Sequence, residues 1–269
     1  MMHTERISVV VPNYNNSQYI ESCLDSVLSQ TYENLEVIII DDCSTDNSVE
    51  IITNYAGNDK RVVPVFNTEN IGVAKNRDKG IMKSTGHCVT TIDSDDIYFS
   101  KNKLETEYDR LAENRKADIQ NSIVFSGIIL LDKDENVLGK QNPTVKEGNI
   151  INDIMRRSCL IPRDFLFTKE QYCKAGGFDK RITIYEDWDL KIRLAKDNLF
   201  FYSGVDGIGY RRHGQGLSSA SPIYHIWWLS YIFVKNFRLL RTGRMKTARI
   251  FSKMIIRMAK NNLKRKFTG

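Results

Sequence analysis

The stretch VTTIDSDD, residues 89–96, places three carboxylates directly after a short buried strand. The strand is predicted over 89–92, where all four residues are β-branched. Asp93, Asp95 and Asp96 repel one another unless a cation joins them, and oxygen-only ligands suit a hard ion such as Mg²⁺ or Mn²⁺. The alternative is a solvated turn that caps a helix. The position at the end of a strand favours the metal site.

Predicted strands and helices alternate along the chain around this stretch. Strands are predicted over 7–11, 35–40 and 62–66, and helices over 17–28, 48–55, 72–83 and 104–111. Such alternation predicts a parallel sheet that is covered by helices on both faces. Ligands bind these sheets beyond the carboxyl ends of the strands, where residues 13–15, 41–42 and 93–96 are polar. We therefore expect a binding site at this edge of the sheet.

Asp41 and Asp42 close the second predicted strand, and two interpretations of them stay open. The sequence DDCSTD is rich in turn formers, so the pair can belong to a capped turn. Alternatively, one carboxylate accepts a hydrogen bond from the base or ribose of a nucleotide. Neither a GxGxxG sequence after the first strand nor a Walker A sequence is present, so a nucleotide would be bound in another way.

A second acidic group, formed by Glu186, Asp187 and Asp189, begins a helix that is predicted over 185–196. Acidic residues at a helix start are commonly partners of the helix dipole. One of them can instead act as a general base if burial or a neighbouring acid raises its pKa.

Arg211, Arg212 and His213 lie in the glycine-flanked segment YRRHGQGLSS, residues 210–219. A lone histidine is more commonly structural than a ligand. Two neighbouring arginines and flexible glycines nevertheless indicate a lid that closes over phosphates.

Charge is distributed unevenly along the 269 residues. The formal net charge is +6, but residues 207–269 hold 14 basic and no acidic side chains. The first 206 residues therefore have 25 basic and 33 acidic side chains, a balance of −8 that disfavours a uniformly basic nucleic-acid binder. Helices are predicted over 223–241 and 244–264, the second with a basic stripe. We expect one domain over 1–222 and a basic amphipathic helical tail over 223–269.

Taken together, the motifs resemble those of family 2 glycosyltransferases with the GT-A fold. The resemblance covers about residues 6–215 and rests on VVPNYNN (10–16), LSQTYENLEVIIIDDCSTD (28–46), NIGVAKNRDKGI (70–81), TGHCVTTIDSDD (85–96), GGFD (176–179), YEDWDLKIRL (185–194) and YRRHGQGLS (210–218). It implies an α/β protein with a mostly parallel central sheet flanked by helices, and the helical tail predicted above follows this domain. It also implies inverting transfer of a sugar from a nucleotide-diphosphate sugar, a UDP-sugar, to a saccharide in surface polysaccharide synthesis.

The resemblance also implies roles for individual residues. The donor-binding candidates are Pro12, Tyr14, Asn15, Asp42, Arg77, Asp93 and Ser94, to which the predicted lid adds Arg211 and Arg212. Asp95 matches a metal ligand, Asp96 is its neighbour, and His213 matches a position that closes over the metal, Mg²⁺ or Mn²⁺, and the diphosphate. Asp187 matches the catalytic base, which takes the proton of the acceptor hydroxyl.

Two departures from the family pattern lie on the donor side. Cys43 stands where the family usually has glycine, and Asn76-Arg77-Asp78 replaces the common ARN. A sugar nucleotidyltransferase is the competing enzyme class, but such enzymes usually have a loop rich in glycine and lysine where this chain has PNYNNSQ (12–18). A third alternative is a non-enzymatic protein that binds membrane or nucleic acid. The acidic first 206 residues disfavour nucleic acid as a partner.

The tail and the resemblance together predict a membrane-associated enzyme. Family 2 enzymes often extend lipid-linked saccharides, so the acceptor is expected on a polyprenyl diphosphate. The basic stripe and Trp227-Trp228 suit an anionic membrane surface, although the helices can instead pack on the domain or on a second copy of the chain in a homodimer. Cysteines without CxxC spacing and a start without a long apolar segment predict a cytoplasmic location, peripheral at the inner face of the plasma membrane.

Overall fold

The computed structural model describes residues 5–141, 145–159, 161–212 and 221–268, with side chains described as far as residue 260. The elements follow in the order β1 (Ile7–Asn13), α1 (Ile20–Leu28), β2 (Leu35–Asp41), α2 (Ser48–Asn58), β3 (Val62–Phe66), α3 (Val73–Lys83), β4 (Cys88–Thr91), β5 (Ile97–Tyr98), α4 (Lys103–Lys116), β6 (Ser122–Leu131), β7 (Val137–Gln141), α5 (Ile151–Arg156), β8 (Phe167–Thr168), α6 (Lys169–Lys174), α7 (Glu186–Leu194), β9 (Leu199–Arg211), α8 (Pro222–Asn236) and α9 (Arg244–Thr268).

The central sheet has five strands in the order β3-β2-β1-β4-β8. The first four are parallel, and β8 is antiparallel to β4. Both β1 and β2 are buried along their whole length, as continuous apolar runs predict for a sheet covered on both faces. The predicted α/β fold with a mostly parallel central sheet is confirmed.

Successive residues of β1 enter two separate hydrophobic cores. Val10 lies in the core that includes α3, α5, α7 and α8, whereas Val9 and Val11 lie in the core that includes α1, α2 and α4. This alternation is the period of two that a strand imposes on its side chains. The two cores hold the helices on opposite faces and leave the carboxyl ends of the strands open.

A second, mixed sheet has the strand order β5-β9-β6-β7, and the sequence does not predict its longest strand, β9. Three glycines interrupt the β9 pattern, and glycine weakens a strand signal. A Cβ at Gly207 would lie 2.4 Å from the Lys103 side chain and 2.7 Å from Ser126. Glycine therefore allows β9 to pass close to its neighbours and carry Arg211 to the site.

The C-terminal helices pack on the rest of the chain through one face. Trp228, Leu229 and Phe233 of α8 are buried in the core that contains α7, and Phe251 of α9 stacks on Phe233 with ring centroids 3.9 Å apart. Of the two arrangements expected for the helical tail, packing on the domain therefore occurs. The contacts join residues on both sides of the predicted domain boundary at 222/223. The homodimer stays a prediction. Within the described residues, we find no helix that combines the length and the apolar character that crossing a membrane requires.

Candidate active site

The candidate site lies at the carboxyl ends of β1, β2 and β4, the edge that the sequence predicts. Asp41 organises the loop after β1, since it accepts from Asn13 Nδ2 at 2.8 Å and from the Ser44 backbone N–H at 2.9 Å. Asn15 has a positive φ of 52°, donates its backbone N–H to Ser44 Oγ and accepts from the Thr45 N–H at 2.8 Å. These bonds fix the loop.

Pro12 and Tyr14, on either side of the last residue of β1, occupy opposite environments. Pro12 is buried inside β1, whereas the Tyr14 side chain is 47% exposed. The exposed ring is thereby available to a ligand at the edge of the sheet.

Asp42 anchors the start of α3. Its carboxylate accepts from Asn67 Nδ2 at 2.8 Å and from the backbone N–H groups of Ile71 and Gly72 at 2.9 and 2.8 Å. Next to it, Cys43 has a φ of 65°, in the left-handed region that glycine adopts without strain. The local backbone thus explains why glycine is usual at this position.

Asp93, Asp95 and Asp96 converge. Each offers a carboxylate oxygen, and these oxygens lie within 4.8 Å of one another. In the described part of the chain, no other group of three such residues comes this close. Ser94 points elsewhere, since its Oγ accepts from Asn16 Nδ2 at 2.9 Å.

Two arginines neutralise part of this cluster. Asp93 Oδ1 accepts from Arg77, and Asp93 Oδ2 pairs with Arg163. Asp96 Oδ1 accepts from the Arg211 backbone N–H at 2.9 Å, and Asp96 Oδ2 lies 3.4 Å from Arg163 Nη2.

The pKa values reflect this uneven neutralisation. Burial raises the pKa of Asp96 well above its usual range, and Asp95 and Asp93 add to the effect while Arg163 opposes it. Burial would also raise the pKa of Asp93, but Arg163 and Arg77 outweigh it and lower the pKa. The charged form of Asp96 is thus disfavoured as the site stands, and a bound cation would favour it.

The donor set fits a hard divalent cation. It consists of three converging carboxylates at a strand end, and they outnumber the two arginines that bond Asp93 and Asp96. His213, the remaining predicted metal ligand, lies outside the described residues.

Glu186 and Asp187 begin α7 and point to different partners. The residue before them, Tyr185, has a φ of 65°, which is strained for a side chain of this size, and its Oη lies 2.9 Å from His225 Nδ1. Glu186 is buried on Arg77, whereas the Asp187 side chain keeps 30% exposure and accepts from Lys191 Nζ at 2.7 Å. Asp187 is therefore the carboxylate of this pair that a substrate can reach.

The sequence argument that burial or a neighbouring acid raises the pKa of the base is wrong for Asp187. Burial alone would raise its pKa, but Lys191 and the more distant Arg163 and Arg77 hold it well below the usual range. Burial does raise the pKa of Glu186, with Arg77 in opposition. Asp187 is thus ionised at neutral pH.

The Arg211 side chain points to groups other than Asp93 and Asp96 in this structure. Arg211 Nη2 donates to Ser22 Oγ at 3.1 Å and to Glu135 Oε1 at 2.9 Å. Arg212 is exposed, and its backbone N–H donates to the carbonyl oxygen of Leu131 at 2.8 Å. The lid stays a prediction, because residues 213–220 lie outside the described part.

Sequence reasoning missed two cations of the site, Arg163 and Lys191. Lys191 follows Asp187 by four residues on one helix, and this spacing is a usable signal for an ion pair. Arg163 precedes β8 in a stretch without a motif, so no local pattern indicates its contacts with Asp93 and Asp96.

The comparisons with known proteins agree with this geometry. Residues 8–163 match the model of the family described as glycosyl transferase family 2. Glycosyltransferase GlyG of Streptococcus pneumoniae is 33% identical over 227 residues, which are 76% of this chain and 72% of GlyG. The putative teichuronic acid biosynthesis glycosyltransferase TuaG of Bacillus subtilis is 37% identical over 134 residues, which are 50% of this chain and 51% of TuaG.

A solved structure extends the likeness to the fold. Staphylococcus aureus TarS 1–349 in complex with UDP-GlcNAc superposes with a TM-score of 0.69 and 20% sequence identity, over 92% of this chain and 71% of that one. The family match and the likeness to GlyG show the family, and the likeness to TarS shows the fold. The chain belongs to glycosyl transferase family 2 and has the GT-A fold, as its motifs predict.

Proposed function

We propose that this glycosyltransferase is an inverting enzyme that transfers a sugar from a UDP-sugar to a hydroxyl of a saccharide acceptor. One observation carries the proposal: Arg77 bonds both Asp93 and Glu186, so it joins the converging carboxylates to the start of α7. Arg77, Arg163 and Asp187 also line one small cavity. Asp187 therefore lies beside the two arginines that bond Asp93 of the converging cluster.

Each carboxylate group has its own task in this proposal. Asp187 takes the proton of the acceptor hydroxyl as that oxygen attacks the anomeric carbon. Asp93, Asp95 and Asp96 would hold Mg²⁺ or Mn²⁺, which when bound stabilises the charge of the leaving diphosphate. The low pKa of Asp187 keeps it unprotonated and ready to accept at neutral pH.

The nucleotide is proposed to lie on the loop after β1. Tyr14 presents an exposed ring face to a base. Asp42 is fixed by three protein hydrogen bonds, and a carboxylate has room for a further bond from the imide N–H of uracil. TarS, whose fold is similar, has a structure in complex with UDP-GlcNAc, which supports a uridine donor.

Screening nucleotide sugars tests the reaction class. We expect UDP release from at least one UDP-sugar, dependent on Mg²⁺ or Mn²⁺ and faster with a saccharide acceptor. Pyrophosphate release from UTP and a sugar phosphate would instead identify a nucleotidyltransferase and contradict the proposal.

We further propose a cytoplasmic enzyme at the inner face of the plasma membrane, with an acceptor on polyprenyl diphosphate, in surface polysaccharide synthesis. The name of TuaG supports the polysaccharide role. On α8, Ile223, Trp227 and Val234 are 62%, 55% and 72% exposed, and their spacing places them along one face of the helix. Trp228 is buried, so Trp227 is the tryptophan of the pair that can enter an interface.

Liposome sedimentation tests the membrane contact. Because α8 is part of the core, point variants are safer than truncation. Trp227→Ser should reduce binding to anionic vesicles, whereas Leu138→Ser, at a 59% exposed position of β7, should not. Equal partitioning of the two variants would contradict the proposal.

A further inference from the structure

Arg163 holds two carboxylates of the converging cluster at once. Its Nη1 pairs with Asp93 Oδ2, and its Nη2 lies 3.4 Å from Asp96 Oδ2. No sequence motif assigns a role to this residue, and it enters the site from the segment between α5 and β8.

The other oxygen of each carboxylate is held by the protein scaffold. Asp93 Oδ1 accepts from Arg77, whose side chain is only 3% exposed, and Asp96 Oδ1 accepts from the Arg211 backbone N–H at 2.9 Å. The oxygens that remain for a cation on these two residues are Asp93 Oδ2 and Asp96 Oδ2. Those are the two oxygens that Arg163 contacts.

The side chain of Arg163 is freer than that of Arg77 to move away from the cluster. Its side chain is 32% exposed, and its guanidinium lies over the Tyr210 ring, 5.0 Å from the centroid. Its backbone is fixed, because the Arg163 N–H donates to Tyr210 Oη at 3.1 Å and its carbonyl accepts from Thr91 Oγ1 at 3.3 Å. The side chain can therefore swing while its origin stays in place.

We propose that Arg163 is the resident counter-ion of the cation site and has to release Asp93 and Asp96 before a divalent cation can bind there. The inference rests on the proposed function, because it takes the cluster as the cation site of a nucleotide-sugar transferase. Arg163 then balances the cluster before the donor arrives and weakens cation binding in the absence of the donor.

A consequence follows for the order of binding. A diphosphate offers the released guanidinium a new anionic partner, and Arg recognises phosphate oxygens through paired N–H groups. Cation and diphosphate should therefore bind with positive coupling, and Arg163 should be one source of that coupling.

Mn²⁺ and UDP are suitable probes, since Mn²⁺ binding can be followed by electron paramagnetic resonance without turnover. We expect Arg163→Met to bind Mn²⁺ alone about tenfold more tightly than the wild-type chain, as expected for removal of a partly buried competing ion pair. The factor by which UDP tightens Mn²⁺ binding should fall by about the same amount.

Lys191→Met is the matched control. It removes one positive charge from the same cleft, but Lys191 contacts Asp187 and the carbonyl oxygen of Ile161 and is not bonded to the cluster. We expect its Mn²⁺ affinity to change less than about twofold, a through-space effect that solvent screens. Arg163→Lys keeps the charge without the two-pronged contact and should be intermediate; it also serves if Arg163→Met does not fold.

The outcomes separate the two proposals. Unchanged or weaker Mn²⁺ binding in Arg163→Met, or an equal gain in Lys191→Met, would overturn the counter-ion role while leaving the proposed function intact. If the wild-type chain binds neither Mn²⁺ nor UDP, both the counter-ion role and the proposed function are contradicted.

Discussion

The two acidic clusters of this molecule have similar composition and opposite geometry. Asp93, Asp95 and Asp96 bring their oxygens within 4.8 Å of one another. Glu186, Asp187 and Asp189 leave the first turns of one helix in different directions and reach separate partners: Arg77 for Glu186, Lys191 for Asp187, and Arg193, Lys235 and Asn236 for Asp189.

The difference shows how placement sets the chemistry of a carboxylate. A tight turn after a strand brings like charges close together, and a positive charge then stabilises them. A helix spreads consecutive side chains about its axis, so each can be neutralised separately. Convergence fits cation binding, whereas divergence allows one carboxylate to remain accessible for proton transfer and another to support the fold.

Replacement of Asp187 by Asn should give the largest effect. We expect sugar transfer to fall about 1000-fold, because the amide cannot take the proton of the acceptor hydroxyl. UDP binding in calorimetry should stay unchanged, because the converging cluster is intact. Wild-type turnover in Asp187→Asn would contradict the assignment of the base.

Replacement of Asp189 by Ala should affect the fold more than the chemistry. Asp189 is fully buried, and its loss leaves Arg193 and Lys235 without their shared carboxylate. We expect the free energy of unfolding to fall by about 3 kcal/mol in chemical denaturation. Glu170→Ala, which breaks an exposed pair with Lys174, should change it by less than about 0.5 kcal/mol. Equal changes in both variants would refute the structural role.

Replacement of Asp95 by Ala tests the converging cluster. We expect Mn²⁺-dependent binding of UDP to weaken about 100-fold in calorimetry, with little change in the midpoint of thermal unfolding. Metal-independent UDP binding of wild-type strength would contradict the cation site.

Replacement of Lys191 by Met should give the smallest effect on rate, about tenfold, together with a shift in pH dependence. Lys191 lowers the pKa of Asp187, so its removal raises that pKa and moves the acid limb of the kcat profile to higher pH. Lys174→Met breaks another i,i+4 pair, the exposed pair with Glu170 on α6, and should leave the profile in place. An unshifted limb in Lys191→Met would show that Lys191 does not tune the base.

Much of the donor side could be predicted from the sequence, since its signals are local. Val9, Val37 and Val89 belong to short β-branched runs, and each polar cluster follows directly after such a run. The convergence of Asp93, Asp95 and Asp96 is likewise inherent in four consecutive residues at a strand end.

The rest of the site depends on contacts between residues that are far apart in the sequence. Arg163 meets Asp93 across 70 residues of chain, and β9 is hidden by glycines that only its close neighbours explain. The pKa of Asp187 is set by cations from two helices and from the segment between α5 and β8, which composition alone does not reveal.

The packing of α8 also determines where this chain can be cut. A fragment that ends at residue 222, at the boundary suggested by charge and motifs, would lose Trp228 and Phe233 from the core and both Lys235 and Asn236 from Asp189. We expect such a fragment to aggregate or to lose order in the helix that carries Asp187. The shortest useful expression fragment therefore has to retain α8, even though none of the family motifs lies within it.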